Sequence, residues 1–320
     1  MASAANRREG DDEVSHDGPR SALRALAGLL GEFRRGNFAS LSDERGGMER
    51  HTGSLTAQWD ERFPGFPSQH FPYTSFRGEF LRRRRDDHLK GIIVQLLADR
   101  GSDEATIVNP ACVFGWHAAD LSSRLPRVRV IATDIEPNWS RLYALVRGRR
   151  FPRNYSFMKD DIFDPRLDLR PTAVVFFGAC GAVSDGAMDF AVATRAPYLM
   201  CRTCCHDNIG GNLEVVRRPG SVNRFFRFKN RALGRMKTKA RYAGYYFSER
   251  YARAAYPRSD AGRGVSTSDE FQAVARHSAD SDICRTIIDL DRYLLLVERG
   301  YRVFYQGELF VAERGEQGTR

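Results

Sequence analysis

Between residues 86 and 202 the apolar positions alternate between two rhythms. Short β-rich runs fall at Thr106–Asn109, Val128–Asp134, Tyr155–Met158, Thr172–Phe177 and Ala196–Cys201. Stretches at helical spacing lie before and between them: Leu89, Ile92, Ile93, Leu96 and Leu97 within 86–100, then Ala118, Leu121 and Leu125, with Pro126 just beyond. Pro137–Arg147 follows, ended by Gly148. Met188–Ala193 comes last, with Ser184 or Asp185 as its cap. Five alternations of strand and helix predict an α/β fold with a parallel, doubly wound sheet. The wholly apolar run Thr172–Phe177 reads as a strand buried on both faces.

The flanks follow other patterns. Leu23, Leu26, Leu29, Leu30 and Phe33 form one stripe and predict a short amphipathic helix over Ser21–Phe33. The rest of residues 1–58 is polar and broken by glycine, so it is expected to be largely disordered. Residues 59–85 are dense in aromatics and prolines and end in four arginines, Arg82–Arg85. They read as an arm packed on the main domain, with the arginines a solvated helix start or, alternatively, a phosphate contact. Residues 86–320 form the main domain, with an insertion at 214–270. Ile283, Ile287, Leu290, Leu294 and Val297 predict a helix over Ser281–Glu298, capped by Gly300. A hairpin at Tyr301–Tyr305 and Glu308–Ala312 around Gln306-Gly307 closes the chain.

Composition narrows the classes. The 320 residues, 42% hydrophobic, suffice for one large domain. No run approaches the roughly 20 apolar residues of a membrane span. The first residues have no apolar core, so no secretory signal is expected. Cys112, Cys180, Cys201, Cys204, Cys205 and Cys284 cluster rather than spread, which points to a reducing compartment, cytoplasm or nucleus, and not to a disulfide framework. The net charge is +10. Residues 214–263 alone carry fourteen Lys or Arg against three acids, together with nine aromatics. Cations interleaved with aromatic rings suit phosphate contact and base stacking, so RNA is the expected partner. A helical insertion with a solvated basic face accounts for the same composition.

The chemistry should sit where the parallel strands end. Thr106–Asp134 reads as strand, turn, helix, strand, acid, the opening unit of a nucleotide-binding fold. Asp134 lies nineteen residues past Gly115, close to the spacing expected of an acid that holds a ribose. A dinucleotide site wants several glycines in the turn, and Gly115 is alone. A nucleoside ligand without a pyrophosphate therefore fits better, with S-adenosylmethionine the commonest; a packing unit without ligand is the plain alternative. The remaining strand ends add Asn109, Ile135, Asp161, Ile162 and Gly178, with Asp160 and Asp164 either competing for the role of Asp161 or simply capping a turn. After the fifth strand, Cys201-Arg-Thr-Cys-Cys-His-Asp-Asn208 admits three readings: a zinc site, a cysteine nucleophile, or a substrate-facing loop in which His206 takes a proton. In the third reading Cys205, Asn208, Arg224, Arg227 and Lys229 contact substrate.

Gly178-Ala-Cys-Gly-Ala-Val-Ser-Asp185 after the fourth strand and Cys204-Cys-His206 after the fifth resemble one branch of the class I S-adenosylmethionine-dependent methyltransferases. It is the branch of the Trm13-type tRNA 2′-O-methyltransferases and the methyltransferase-like 25 proteins. Ile283–Arg292 is similar to their late helix, and the likeness covers about residues 86–312. It implies a Rossmann-like, mostly parallel sheet of class I methyltransferase type, S-adenosylmethionine as cofactor, and methylation of an RNA 2′-hydroxyl or base. The chain departs from that pattern in its first turn. Class I enzymes carry Asp/Glu-x-Gly-x-Gly there, and this chain has Asn109-Pro-Ala-Cys-Val-Phe-Gly115, with Ala111 in the place of the first glycine. The Cys-and-His zinc region of the Trm13 type is missing as well. A methyltransferase-like RNA-binding or assembly protein without activity is therefore the alternative expectation.

Overall fold

The strands are β1 (Thr106–Asn109), β2 (Arg129–Asp134), β3 (Tyr155–Lys159), β4 (Ala173–Cys180), β5 (Tyr198–Cys204), β6 (Tyr301–Gln306) and β7 (Leu309–Arg314). They form one sheet in the order β3-β2-β1-β4-β5-β7-β6. Strands β1 to β5 run parallel, and β7 inserts antiparallel between β5 and β6. This computed structural model describes residues 17–36, 44–68, 79–98, 105–112, 115–134, 151–180, 182–204, 256–278 and 281–315. Eight helices fall within them: α1 (Gly18–Arg34), α2 (Glu44–Arg62), α3 (Glu79–Ala98), α4 (Trp116–Arg124), α5 (Ala182–Ala193), α6 (Asp260–Val265), α7 (Ser268–His277) and α8 (Asp282–Glu298). Order, direction and flanking helices make it the Rossmann-like, doubly wound fold of class I methyltransferase type. No helix of the described residues is long and apolar enough to cross a membrane.

Period-two alternation along each strand builds two cores. Val108, Ile131, Val174, Phe176, Leu199 and Cys201 face one side, against α1, α5 and α8. Ile107, Val130, Val175 and Met200 face the other, against α3, α4, Trp59 and Phe63. Helix α8 is buried almost all round. It starts where Ser281 Oγ accepts from Cys284 N, a side-chain cap on otherwise orphan backbone. The chain reverses between β6 and β7 at Gly307, whose φ of 57° suits a residue without Cβ.

In the N-terminal part the helix expected over Ser21–Phe33 is present as α1, whereas α2 stands where disorder was expected. Helix α1 buries Leu26, Leu29 and Leu30 completely, at roughly 1.5–3 kcal/mol each. Helix α2 buries Met48, Leu55 and Trp59, although its sequence shows no clean apolar stripe. It can do so because it spans both cores, with Met48 and Leu55 in one and Trp59 in the other. Phe63 meets Phe304 of β6 edge-on at 5.6 Å. Helix α3 begins at Glu79 rather than Asp86, and Arg85, expected in solvent, is buried against Glu308 at 3.1 Å. The helix predicted over 137–147 lies outside the described residues.

Candidate functional site

Strand order reverses between β1 and β4, since β2 and β3 lie to one side and β4 and β5 to the other. The crevice beyond their C-terminal ends is the ligand position of such sheets. Asn109, at the end of β1, is buried and donates from Nδ2 to the Val175 carbonyl of β4 at 2.7 Å. It therefore sutures the two strands under the crevice rather than reaching into it.

The turn that follows has an unusual backbone. Ala111 has φ 50° and Gly115 φ 69°, both left-handed. A side chain makes that region costly, by about 1–2 kcal/mol. Ala111 thus keeps the shape glycine adopts without strain, and its methyl packs against the core cluster. The Cys112 backbone N–H donates to the Thr133 carbonyl at 3.0 Å, which ties the turn to β2 one residue before Asp134. Gly115 opens α4 without a side-chain cap, so first-turn N–H groups have no side-chain acceptor from it. Asp134 ends β2 half-buried. Burial, followed by the charge of Asp134, pushes the Cys112 thiol well above its ordinary range, so this cysteine is an inert wall.

Beyond β3, Asp160 N donates to the Asp134 carbonyl at 3.0 Å. The Asp160 carboxylate accepts from Arg166 N, and Asp161 Oδ1 accepts from Phe163 N at 2.8 Å. Both acids cap backbone. Ile162 packs against the core cluster. The Asp161 carboxylate and the partly buried Ile162 expected near adenine thus also build the turn that follows β3.

At the end of β4 the ladder slips between Phe177 and Ala179, and Gly178 takes φ 72°. A Cβ on Gly178 would lie 2.8 Å from the Arg202 guanidinium. Around Arg202 lies a buried charge cluster that sequence reading missed. Arg202 Nε donates to Asp86 Oδ1 at 2.6 Å, and Glu308 lies 3.9 Å from the same guanidinium. His117, in the first turn of α4, stacks on Phe177 at 4.3 Å and lies 3.7 Å from Asp86. Burial is the main cause that pushes His117 down to about 4, so it is neutral at pH 7. Its Nδ1 has no hydrogen-bond partner among the described residues.

A second network joins the first turn of α5 and the end of β5 to α8. Thr203 Oγ1 donates to Asp289 at 3.0 Å, Arg292 donates to Asp289 at 3.0 Å and to Asp185 at 2.9 Å, and Arg258 reaches Asp185 at 3.0 Å. Tyr256 also donates to Asp185. The two arginines hold the Asp185 carboxyl below its ordinary value although desolvation opposes them. The sequence signal was Asp289-Leu-Asp291-Arg292, three charges inside the otherwise uncharged run Thr286–Val297.

The structure thus brings Asn109, Ala111, Gly115, Asp134, Asp161, Ile162 and Gly178 to one edge of the sheet. Ile135, Cys205, His206, Asn208, Arg224, Arg227 and Lys229 lie outside the described residues. Cys201 is buried in the core, where desolvation first raises its thiol well above the ordinary range. No group of three or more His, Cys, Asp or Glu among the described residues could hold a metal ion.

No family model and no curated protein matches the chain. Solved structures do align. Magnesium protoporphyrin IX methyltransferase from Synechocystis PCC 6803 with bound S-adenosylhomocysteine is 12% identical, with 82% of this chain and 100% of that one covered and a TM-score of 0.35. An O-methyltransferase family protein from Burkholderia thailandensis is 11% identical over 83% of this chain and 70% of that one, TM-score 0.36. An amino pentose methyltransferase from Micromonospora echinaspora is 20% identical, TM-score 0.28, over 36% of this chain. The chain spans about half the length of that last protein, 49%. At these TM-scores the alignments carry no weight for activity or ligand.

Proposed function

We propose that the chain is an S-adenosylmethionine-dependent methyltransferase whose acceptor is RNA. One observation carries the cofactor reading. Ala111 and Gly115 hold the left-handed turn of a nucleoside site, and Cys112 ties it to the strand that ends at Asp134. A pyrophosphate would need several glycines for close approach, and a nucleoside does not. The groups present fit the cofactor. Asp134 would accept from the ribose hydroxyls, and the first-turn N–H groups of α4 would face its carboxylate end. Ala111, with its methyl on the core, leaves the turn surface to the ligand.

When bound, the cofactor supplies a methyl group on a sulfonium that leaves without protonation. The protein's own work is then alignment and the exclusion of water. The buried Arg202–Asp86 pair fastens the end of β5 to α3, and the Arg292–Asp185 pair fastens the start of α5 to α8, which keeps this edge rigid for that purpose. A hydroxyl acceptor also needs a base, and the sequence assigns that to His206, two residues past the end of β5. RNA as acceptor is supported by the cations and aromatics of residues 214–263. The nearer likeness to Trm13-type enzymes rests on Gly178–Asp185 and Cys204–His206.

Calorimetry with S-adenosylmethionine tests the cofactor site. Asp134→Ala should remove charge-assisted bonds worth about 1.5–3 kcal/mol, some ten- to hundredfold in affinity. Unchanged affinity would place the ribose elsewhere. The Cβ at 111 favours a second reading, an RNA-binding protein without activity. Tight RNA binding by a wild-type chain that binds no cofactor would select it.

A further inference from the structure

The edge where the parallel strands begin lies opposite the candidate site, and the topology collects arginines there. Arg153 precedes β3, Arg129 opens β2, Arg170 precedes β4 and Arg195 precedes β5. Arg302 stands near the start of β6, and Arg314 ends the antiparallel β7 beside it, so both reach the same edge. Six of the seven strands thus contribute a guanidinium. The exception is β1, whose preceding residues 99–104 lie outside the described set.

Arg129, Arg153, Arg170, Arg195 and Arg302 are exposed, and none pairs with a carboxylate among the described residues. Arg314 lies over the Tyr301 ring with one guanidinium nitrogen buried and without a hydrogen-bond partner. Among the described residues acids do not balance them. Glu313 is taken by Arg62 at 2.6 Å, which leaves Asp168 beside Arg170. A concavity of about 450 Å³, lined by Leu167–Arg170 and Ala193–Arg195, opens between two of the strand starts.

We infer that this arginine row is an RNA-backbone binding surface, separate from the cofactor edge. Neighbouring strands stand about 4.8 Å apart, so seven of them set out a row of roughly 29 Å. That is a linear array of cations for a linear array of phosphates. Every cation in it is arginine, whose planar fork meets phosphate in a bidentate way that lysine does not. No carboxylate of the described residues neutralises these five exposed guanidinium groups. A lipid surface would call for an apolar face beside the charges, whereas Leu167 and Leu169 are turned to the core.

The test uses the full chain, a labelled single-stranded RNA of about 20 nucleotides and a salt titration. Arg129→Gln/Arg170→Gln/Arg195→Gln should weaken binding by about tenfold or more and lower the log–log salt slope by about two, near 0.7 for each phosphate left without its cation. The control Arg20→Gln/Arg50→Gln/Arg276→Gln removes three exposed arginines elsewhere and should leave both unchanged. The inference is overturned by an edge variant that binds as wild type does, by a control that loses as much, or by a wild-type chain that does not bind RNA. Capture by phosphatidylserine vesicles without RNA binding overturns it too. It stands apart from the cofactor reading: calorimetry on the same samples that shows no S-adenosylmethionine binding would remove that reading and leave the RNA result intact.

Discussion

Ala111 shows how one residue carries both the likeness to a nucleoside site and the departure from it. Its φ of 50° costs an L-residue about 1–2 kcal/mol, partly offset because glycine would lose more backbone entropy, about 0.5–1 kcal/mol. Ala111→Gly should therefore stabilise the chain by about 0.5–1 kcal/mol. A higher urea midpoint would show it, and a lower one would mean that the methyl's packing outweighs the strain. His117 makes a second prediction. Its folded value is pushed down to about 4, whereas an unfolded histidine titrates near 6.5. As pH falls through that window the unfolded chain binds a proton that the folded chain refuses, so stability declines from about pH 6.5 to 4. Asp86 and Asp120 favour the charged form, and Lys90 and Arg202 oppose it, so burial decides the sign. His117→Phe keeps a ring on Phe177 and removes the titration. Its urea midpoint should fall less between pH 7 and pH 5 than that of the wild-type chain, and an equal fall would assign the acid sensitivity to other groups. Asp134 was legible from its spacing after Gly115. Asp160 was legible as a possible turn cap, but the capping role of Asp161 was not, because a carboxylate at a strand end reads the same whether it meets a ligand or its own backbone.

Helix α8 shows the same divide between local and distant signals. Its apolar spacing announces a buried helix from sequence alone, and the structure adds a side-chain cap at Ser281. Why it carries Asp289, Asp291 and Arg292 appears only when α5 and β5 are packed beside it. Arg292 is 0% exposed and serves both Asp185 and Asp289. Arg292→Ala leaves those two carboxylates buried without it and should cost about 3–5 kcal/mol. Ser281→Ala removes one cap and should cost about 1 kcal/mol. Chemical unfolding that ranked the cap above the arginine would refute the network's role. Asp291 is differently placed: it accepts from Ser259 Oγ and from the Arg258 and Ser259 backbone, and so holds the entry to α6.

For the whole molecule, two opposite edges of one sheet carry different chemistry. One gathers the left-handed turn, Asp134 and the buried charge networks; the other gathers arginines that no carboxylate of the described residues balances. By itself the sequence determined the order of the strands, the parallel doubly wound sheet, the closing hairpin and the positions of Asn109, Gly115, Asp134 and Gly178 at strand ends. These follow from periods of 2 and 3.6 residues and from glycine and proline punctuation, which the backbone imposes within a few residues. Tertiary structure alone decided what lies far apart in the chain. Asp86 meets Arg202 across 116 positions and Asp185 meets Arg292 across 107. Helix α2 finds two cores although it shows no clean stripe. Six arginines, in or just before six different strands, share an edge. A charged residue in sequence reads as solvated until its partner is known, and the partner depends on which strands become neighbours.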